Sequence, residues 1–214
     1  MSSGPNGSDG LDGLARDRVI AVVRTPFIPD AAELCAALVA GGIRWIEFTY
    51  TTPGVELHLR RAAEVADGLG CRVGVGTVLT AEQARRGVAA GAQYLVTPGV
   101  RAGLADAAGG VPVVMGALTP SEVATAVDLG AAAVKIFPAR AFGAGYFRDL
   151  RGPYPDVSLV ASGGVNAGNA ADFLAAGALA VCAGSEVVAP AVVAAGGWSG
   201  VELRAREFVA AIAG

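Results

Sequence analysis

The chain has 214 residues, 53% of them hydrophobic, with a formal net charge of −3 and an isoelectric point near 5.2. That is enough apolar material for one domain with a sizeable core, and the acidic balance argues against nucleic acid or an anionic membrane surface as a partner. Cys35, Cys71 and Cys182 are widely spaced, form no metal-ligand pattern and leave an odd thiol, which suits core cysteines of an intracellular protein.

Residues 1–10 are rich in Ser, Gly, Asn and Asp and have neither a basic start nor an apolar core. They predict a disordered tail and not a signal peptide. No apolar run approaches transmembrane length, because Gly, Pro or a charge interrupts each one. The expectation is a cytoplasmic domain spanning residues 11–214.

A short lead-in helix is predicted over 11–17, and the first strand follows at 18–24. Asp30, with Glu33 three residues on, opens a helix in a capping-box pattern, and Gly41 and Gly42 close it. The unit then recurs. Strand 43–50 precedes helix 55–69, and strand 71–77 precedes a helix capped by Thr80 and Gln83. Strand 93–97 precedes a helix reaching about Ala108; strand 111–117 precedes one with Thr119, Pro120 and Glu122 at N-cap, N1 and N3. An apolar run over 131–137 is the sixth strand, with a helix near 144–150. Strand 157–162 leads through Gly163-Gly164 into helix 166–176. The last strand, 178–184, is followed by a short helical stretch at 186–189 and a closing helix at 199–213, capped by Ser199 and Glu202.

Eight strand–helix units with apolar strands, as strands covered on both faces should be, predict a closed (β/α)₈ barrel, a TIM barrel. A doubly wound open sheet would have fewer strands and usually a glycine fingerprint after the first.

Inside the sixth strand sits Lys135, the only lysine in the protein; the other fifteen basic residues are all arginine. An ammonium buried among Ala, Val, Ile and Phe is costly, and the cost falls when the amine is neutral. A neutral amine is a nucleophile for carbonyl carbon and gives a Schiff base. Strand alternation with Lys135 inward puts Ala133 and Phe137 on the same face. On strand two it places Trp45, Glu47 and Thr49 in the lumen; on strand one, Ile20, Val22 and Arg24; on strand three, Val73, Val75 and Thr77. Lys135, Glu47, Arg24 and Thr77 therefore converge at the carboxyl end of the barrel, where such folds place catalytic groups. A structural ion-pair network could use the same residues. Ser162-Gly163-Gly164 after strand seven and Gly184-Ser185 after strand eight suit an anion, since those two loops are the usual phosphate seat of such barrels. Glu186 beside them is a like charge that weakens the seat. The lone histidine, His58, falls on a helical pattern beside Arg60 and Arg61 and is expected on a solvated face.

Five segments carry a resemblance: Trp45-Ile-Glu-Phe-Thr, Gly74-Val-Gly-Thr-Val-Leu, Val96-Thr-Pro-Gly, Val134-Lys-Ile-Phe-Pro-Ala and Ser162-Gly-Gly-Val. In order and spacing, over residues 18–208, the chain resembles the 2-keto-3-deoxy-6-phosphogluconate (KDPG) and 4-hydroxy-2-oxoglutarate (KHG) aldolases. The resemblance implies a class I aldolase that needs no metal or other cofactor, releases pyruvate from a 2-keto acid, and assembles as a homotrimer of barrels. It makes Lys135 the Schiff-base lysine and Glu47 the general acid and base. It assigns Thr77 to the pyruvyl carboxylate, Pro98 and Phe137 to the pocket wall, and Gly163, Gly164 and Ser185 to the phosphate. Two positions depart from the pattern. Many members carry arginine where this chain has Thr51, a substrate-binding candidate whose hydroxyl can donate one hydrogen bond but cannot neutralise charge, and tryptophan where it has Glu186. Arg24, ending strand one as in members acting on the galactonate epimer, is the candidate cation in place of the missing arginine. Two other functions fit parts of the pattern: a phosphate-binding barrel isomerase or epimerase, and a non-catalytic barrel serving in assembly.

Overall fold

Eight short apolar segments form the strands: β1 (Val19–Val23), β2 (Trp45–Thr49), β3 (Arg72–Gly76), β4 (Leu95–Val96), β5 (Val113–Ala117), β6 (Ala133–Ile136), β7 (Leu159–Ala161) and β8 (Ala180–Ala183). All pair in parallel in sequence order, and β8 closes on β1, so the sheet is a closed eight-stranded barrel. The structure, a computed structural model, describes residues 10–213; the tail expected over residues 1–10 falls outside it except for Gly10. Around the barrel run α2 (Ala31–Ala40), α3 (Val55–Leu69), α4 (Ala81–Ala89), α5 (Leu104–Ala107), α6 (Pro120–Asp128), α7 (Gly145–Arg151), α8 (Ala170–Ala175), α9 (Pro190–Ala194) and α10 (Trp198–Ile212), with α1 (Asp12–Asp17) ahead of β1. Among the described residues no helix is long and apolar enough to cross a membrane.

The helix starts follow local chemistry. Thr119 and Glu122 form a reciprocal capping box with Pro120 at the first turn, as the sequence predicts. Asp30 accepts from the backbone N–H groups of Ala32 and Glu33, but the Glu33 half of the box is absent. Thr80 accepts from Gln83 N–H, and the Gln83 side chain reaches one residue further back, to Leu79 N–H. Two expectations fail near the C-terminus. Residues 186–189 form a turn in which the N–H groups of Val187 and Val188 donate to Gly184, and the helix there starts at Pro190. Ser199 lies inside α10, whose N-cap is Gly197, because Trp198 packs on the outer core and draws the helix start forward.

The buried side chains divide into two cores. The larger lies between barrel and helices and includes Val19, Ala21, Ile46, Phe48, Val134 and Ile136. The smaller fills the lumen with Ile20, Trp45, Tyr94, Val114, Ala133, Val160 and Ala180, and Leu11 and Leu14 of the lead-in segment plug its lower end. Trp45 Nε1 donates to Asp17 at 3.1 Å and ties that plug to β2. Alternation thus holds as expected on β1, β2 and β6.

On β3 the expected phase is inverted. Val73 and Val75 belong to the outer core, and Gly74 and Gly76 face the lumen. A Cβ at Gly74 would stand 2.6 Å from the Tyr94 ring, and one at Gly76 would stand 1.7 Å from Glu47 Oε1. The lumen needs that space, so the small residues point inward and the valines cover the helix side.

Candidate active site

The lumen changes character along its length, apolar at the plugged end and polar at the carboxyl end. Glu47 is fully buried and Lys135 is 5% exposed. Burial of both on strands of a closed barrel holds them in fixed rotamers without loop flexibility. Neither takes part in an ion pair among the described residues. Both Glu47 oxygens are buried with no hydrogen-bond partner in the protein, which leaves the carboxylate free to exchange a proton with something that enters. Lys135 Nζ lies 5.4 Å from the centroid of the Phe137 ring, within cation–π range.

Cys182, on β8, links the two groups. Burial pushes its thiol up to about 11, the nearby Lys135 charge opposes that and Glu47 adds to it. A single lumen thiol therefore feels both the amine and the carboxylate, which share one low-dielectric compartment.

Above this compartment opens a cavity of about 440 Å³. Its walls bring together Arg24, Phe137, Ser162, Gly163, Gly164, Gly184 and Ser185, seven of the residues singled out from the sequence. Arg140 and Cys182 also line it and were not among them. Gly163 and Gly164 have φ of 89° and 83°, a conformation that favours glycine. A Cβ on Gly163 would press on the Phe137 ring at 3.1 Å, and one on Gly164 on the Arg140 stem at 2.5 Å. Among the described residues, the N–H groups of Gly163, Gly164 and Ser185 donate to no backbone carbonyl or side chain, so three residues lining the cavity carry an unpaired backbone donor. Glu186 lines the same cavity, but its carboxylate accepts from Ala167 N–H at 2.9 Å and is held in the loop before α8. A second cavity of similar volume lies at the opposite end of the barrel, lined by Arg16, Arg44, Trp45 and Arg72. It sits where loops lead into strands, whereas such barrels carry their catalytic groups at the other, carboxyl end.

Thr77 reaches the mouth by a different route from the one strand alternation predicts. β3 ends at Gly76, and Thr77 takes a left-handed backbone with φ of 58°, rare for a β-branched residue. That turn brings its hydroxyl to the Arg24 guanidinium, which donates to it at 3.4 Å. Left-handed backbone at a β-branched residue costs on the order of 1–3 kcal/mol and is typical of functional sites.

Like Thr77, Thr51 and Pro98 are not part of the mouth cavity's lining. The Thr49 hydroxyl donates to Val23 O at 3.1 Å, so the 2.9 Å contact between Thr49 and Thr51 uses the Thr51 proton. The Thr51 hydroxyl proton is therefore engaged with Thr49. Pro98 meets the lumen face of β5: a Cβ on Gly116, which pairs with Lys135, would lie 2.3 Å from the Pro98 carbonyl carbon. His58 is half-buried and not fully solvated, and desolvation lowers its pKa. Among the described residues no three His, Cys, Asp or Glu side chains come together as a metal-binding group.

The family model for KDPG and KHG aldolase matches residues 12–203. The chain belongs to the KDPG and KHG aldolase family. The 2-dehydro-3-deoxy-phosphogluconate aldolase of Treponema pallidum is 39% identical over 195 residues, covering 89% of this chain and 91% of that protein. The KHG/KDPG aldolase of Escherichia coli K12 is 33% identical, covering 89% and 90%. Among solved structures, the KDPG aldolase of Legionella pneumophila, with pyruvate captured as a covalent carbinolamine, superposes with a TM-score of 0.83 at 28% identity, over 92% of this chain and 97% of that one. Family membership makes this aldolase a carbon–carbon lyase.

Proposed function

We propose that this aldolase cleaves a 2-keto-3-deoxy sugar acid of the KDPG type, or 4-hydroxy-2-oxoglutarate, to pyruvate and an aldehyde, glyceraldehyde 3-phosphate or glyoxylate respectively. The observation that carries the reading is the protein's sole lysine, buried in the lumen beneath an anion-suited cavity, with an unpartnered buried carboxylate in the same compartment.

Lys135 Nζ attacks the C2 ketone, water leaves, and an iminium forms. The C3–C4 bond breaks, and its electron pair moves into the iminium to give an enamine. The C4 hydroxyl proton passes to the Glu47 carboxylate, and the aldehyde departs. Glu47 then returns the proton to C3, and water hydrolyses the iminium to pyruvate and the free amine. One carboxylate serves as base and then acid, and the dry lumen protects the enamine. Arg24 and Thr77 hold the carboxylate of the substrate. The N–H groups of Gly163, Gly164 and Ser185, with Ser162 and Gly184 beside them, take a terminal phosphate. Phe137 and Pro98 wall the pocket.

No step calls for a metal, and the reaction is proposed to be metal-independent. Assembly as a trimer and a place in the cytoplasm complete the proposal and follow family resemblance. An isomerase reading, with Lys135 as a proton donor, has no counterpart among the relatives named above. Pyruvate release from each 2-keto acid, coupled to NADH oxidation by lactate dehydrogenase, tests the reading. Wild-type protein turns over at least one of them, and Lys135→Ala and Glu47→Gln lose at least about 10³-fold in kcat. Retained pyruvate release in Lys135→Ala would overturn it.

A further inference from the structure

Among the described residues, three buried side-chain oxygens have no hydrogen-bond partner in the protein, and all lie in the lumen: both Glu47 oxygens and the Tyr94 hydroxyl. Buried polar atoms are nearly always satisfied, so two unsatisfied groups in one compartment call for a shared cause. Tyr94 is fully buried, with its ring flat over Gly74 and its Cε1, Cε2 and Cζ each 2.6 Å from where a Cβ would stand. The Glu47 carboxylate occupies the corresponding gap at Gly76, one lumen-facing position nearer the mouth. Trp45 flanks the phenol at 5.2 Å between ring centroids. The phenol is thus stacked beneath the carboxylate along β3. A phenylalanine would make every apolar contact that Tyr94 makes; what the tyrosine adds is one O–H.

Burial, and after it the Glu47 carboxylate, holds the Tyr94 phenol well above its usual range. The hydroxyl therefore keeps its proton and remains a donor. The other titratable or charged groups around Glu47 are Lys135 from β6, Cys182 from β8 and Arg24 at the end of β1. Cys182, and after it Cys71 and Cys35, also act on the Tyr94 phenol, but a thiol is a weak donor.

We infer that Tyr94 is a positioning residue for Glu47, its O–H donated through one water to the carboxylate oxygen on the plugged side of the lumen. A water held between these oxygens has the two to four polar partners that a buried water needs. The bond fixes one Glu47 oxygen and leaves the other turned to the substrate. It also favours the ionised carboxylate, the form that accepts the C4 proton. This inference rests on the aldolase reading of the site.

The test is Tyr94→Phe, alone and in a Glu47→Gln background, with kcat, KM, pH–rate profile, thermal midpoint and pyruvate–borohydride trapping measured on the full chain. The expected kcat falls about tenfold with KM within about twofold, as for loss of a group that orients another. The acid limb of the kcat profile moves up by roughly one pH unit, the scale of one hydrogen bond to a charge. In Glu47→Gln, adding Tyr94→Phe changes kcat no further. If the phenol is packing alone, removing its orphaned oxygen raises the thermal midpoint and leaves kcat and the profile unchanged, which overturns the inference. An equal loss in both backgrounds overturns it as well. Trapping at Lys135 persists in every variant; its absence in the wild type removes the aldolase reading, and this inference with it.

Discussion

Gly76→Ala is the most economical way to move the Glu47 carboxylate, the proposed acid and base, without touching it. The new Cβ stands 1.7 Å from Glu47 Oε1, 2.3 Å from Cδ and 2.6 Å from Cγ. Ordinary contact begins at 3.4 Å, so Oε1 must retreat by about 1.7 Å, since neither barrel strand can yield that far. A misplacement of about 1 Å costs on the order of 10²-fold in rate. The expected kcat therefore falls by at least about 10²-fold, or ~2.7 kcal/mol at 1.36 kcal/mol per decade. Overpacking destabilises by about 1–3 kcal/mol, small against the ~5–15 kcal/mol of a folded domain, and each kcal/mol lowers the midpoint by about 2–4 °C. Gly41→Ala is the control. Its Cβ would stand 2.4 Å from Ala205 Cβ, far from the site, so it carries the same kind of overpacking without the loss of kcat. Coupled pyruvate release and thermal melts measure both variants. A folded Gly76→Ala enzyme with kcat within threefold of wild type would refute the placement of Glu47 as the reacting carboxylate.

Arg24→Ala should lower kcat/KM by about 10- to 10²-fold, mostly through KM, as for loss of a charge-assisted hydrogen bond to the substrate carboxylate; Thr51→Ala, whose proton is already used by Thr49, should change it less than about threefold. Steady-state kinetics on several 2-keto-3-deoxy acids checks both. Exhaustive chelation should leave pyruvate release unchanged, and a loss restored by a divalent ion would move the enzyme to a metal-dependent mechanism. Thr119→Ala should cost about 1 kcal/mol, a midpoint drop of about 2–4 °C. The Glu122 carboxylate, held by Thr119 N–H, then Leu118 N–H and the Thr119 hydroxyl, sits below the ordinary glutamate value of 4.5. Its contribution is therefore present above pH 4.5 and lost as pH falls through the depressed folded value. Melts of Glu122→Gln and wild type should differ at pH 7 and converge in strong acid.

The barrel was legible because each unit carries its own punctuation. Thr119-Pro120-Glu122 and Gly41-Gly42 mark helix ends by local chemistry that tertiary packing leaves in place. The lumen faces of β1, β2 and β6 were legible because a charged residue on an apolar strand fixes the phase of the alternation. β3 has no such marker. Val73 and Val75 look like an inward stripe, and glycine gives no hydropathy signal, yet the voids at Gly74 and Gly76 are what admit Tyr94 and Glu47. Glycine at alternate strand positions was the available sign, since it marks close approach. Tyr94 went unnoticed for the same reason, its role depending on a void on another strand. Arg140 reaches the cavity by lying across Gly164, a contact between two loops that no local pattern encodes. Thr77 comes to Arg24 by a route that strand alternation does not describe, because its left-handed backbone overrides the strand period.

Borohydride reduction in the presence of pyruvate, followed by peptide mass mapping, tests the central claim most directly. Lys135 is the only lysine, so the N-terminal amine is the sole competing primary amine. The account predicts one reduced pyruvate adduct, on Lys135, and none without borohydride. Unmodified Lys135 in protein that still releases pyruvate at its full rate would contradict it.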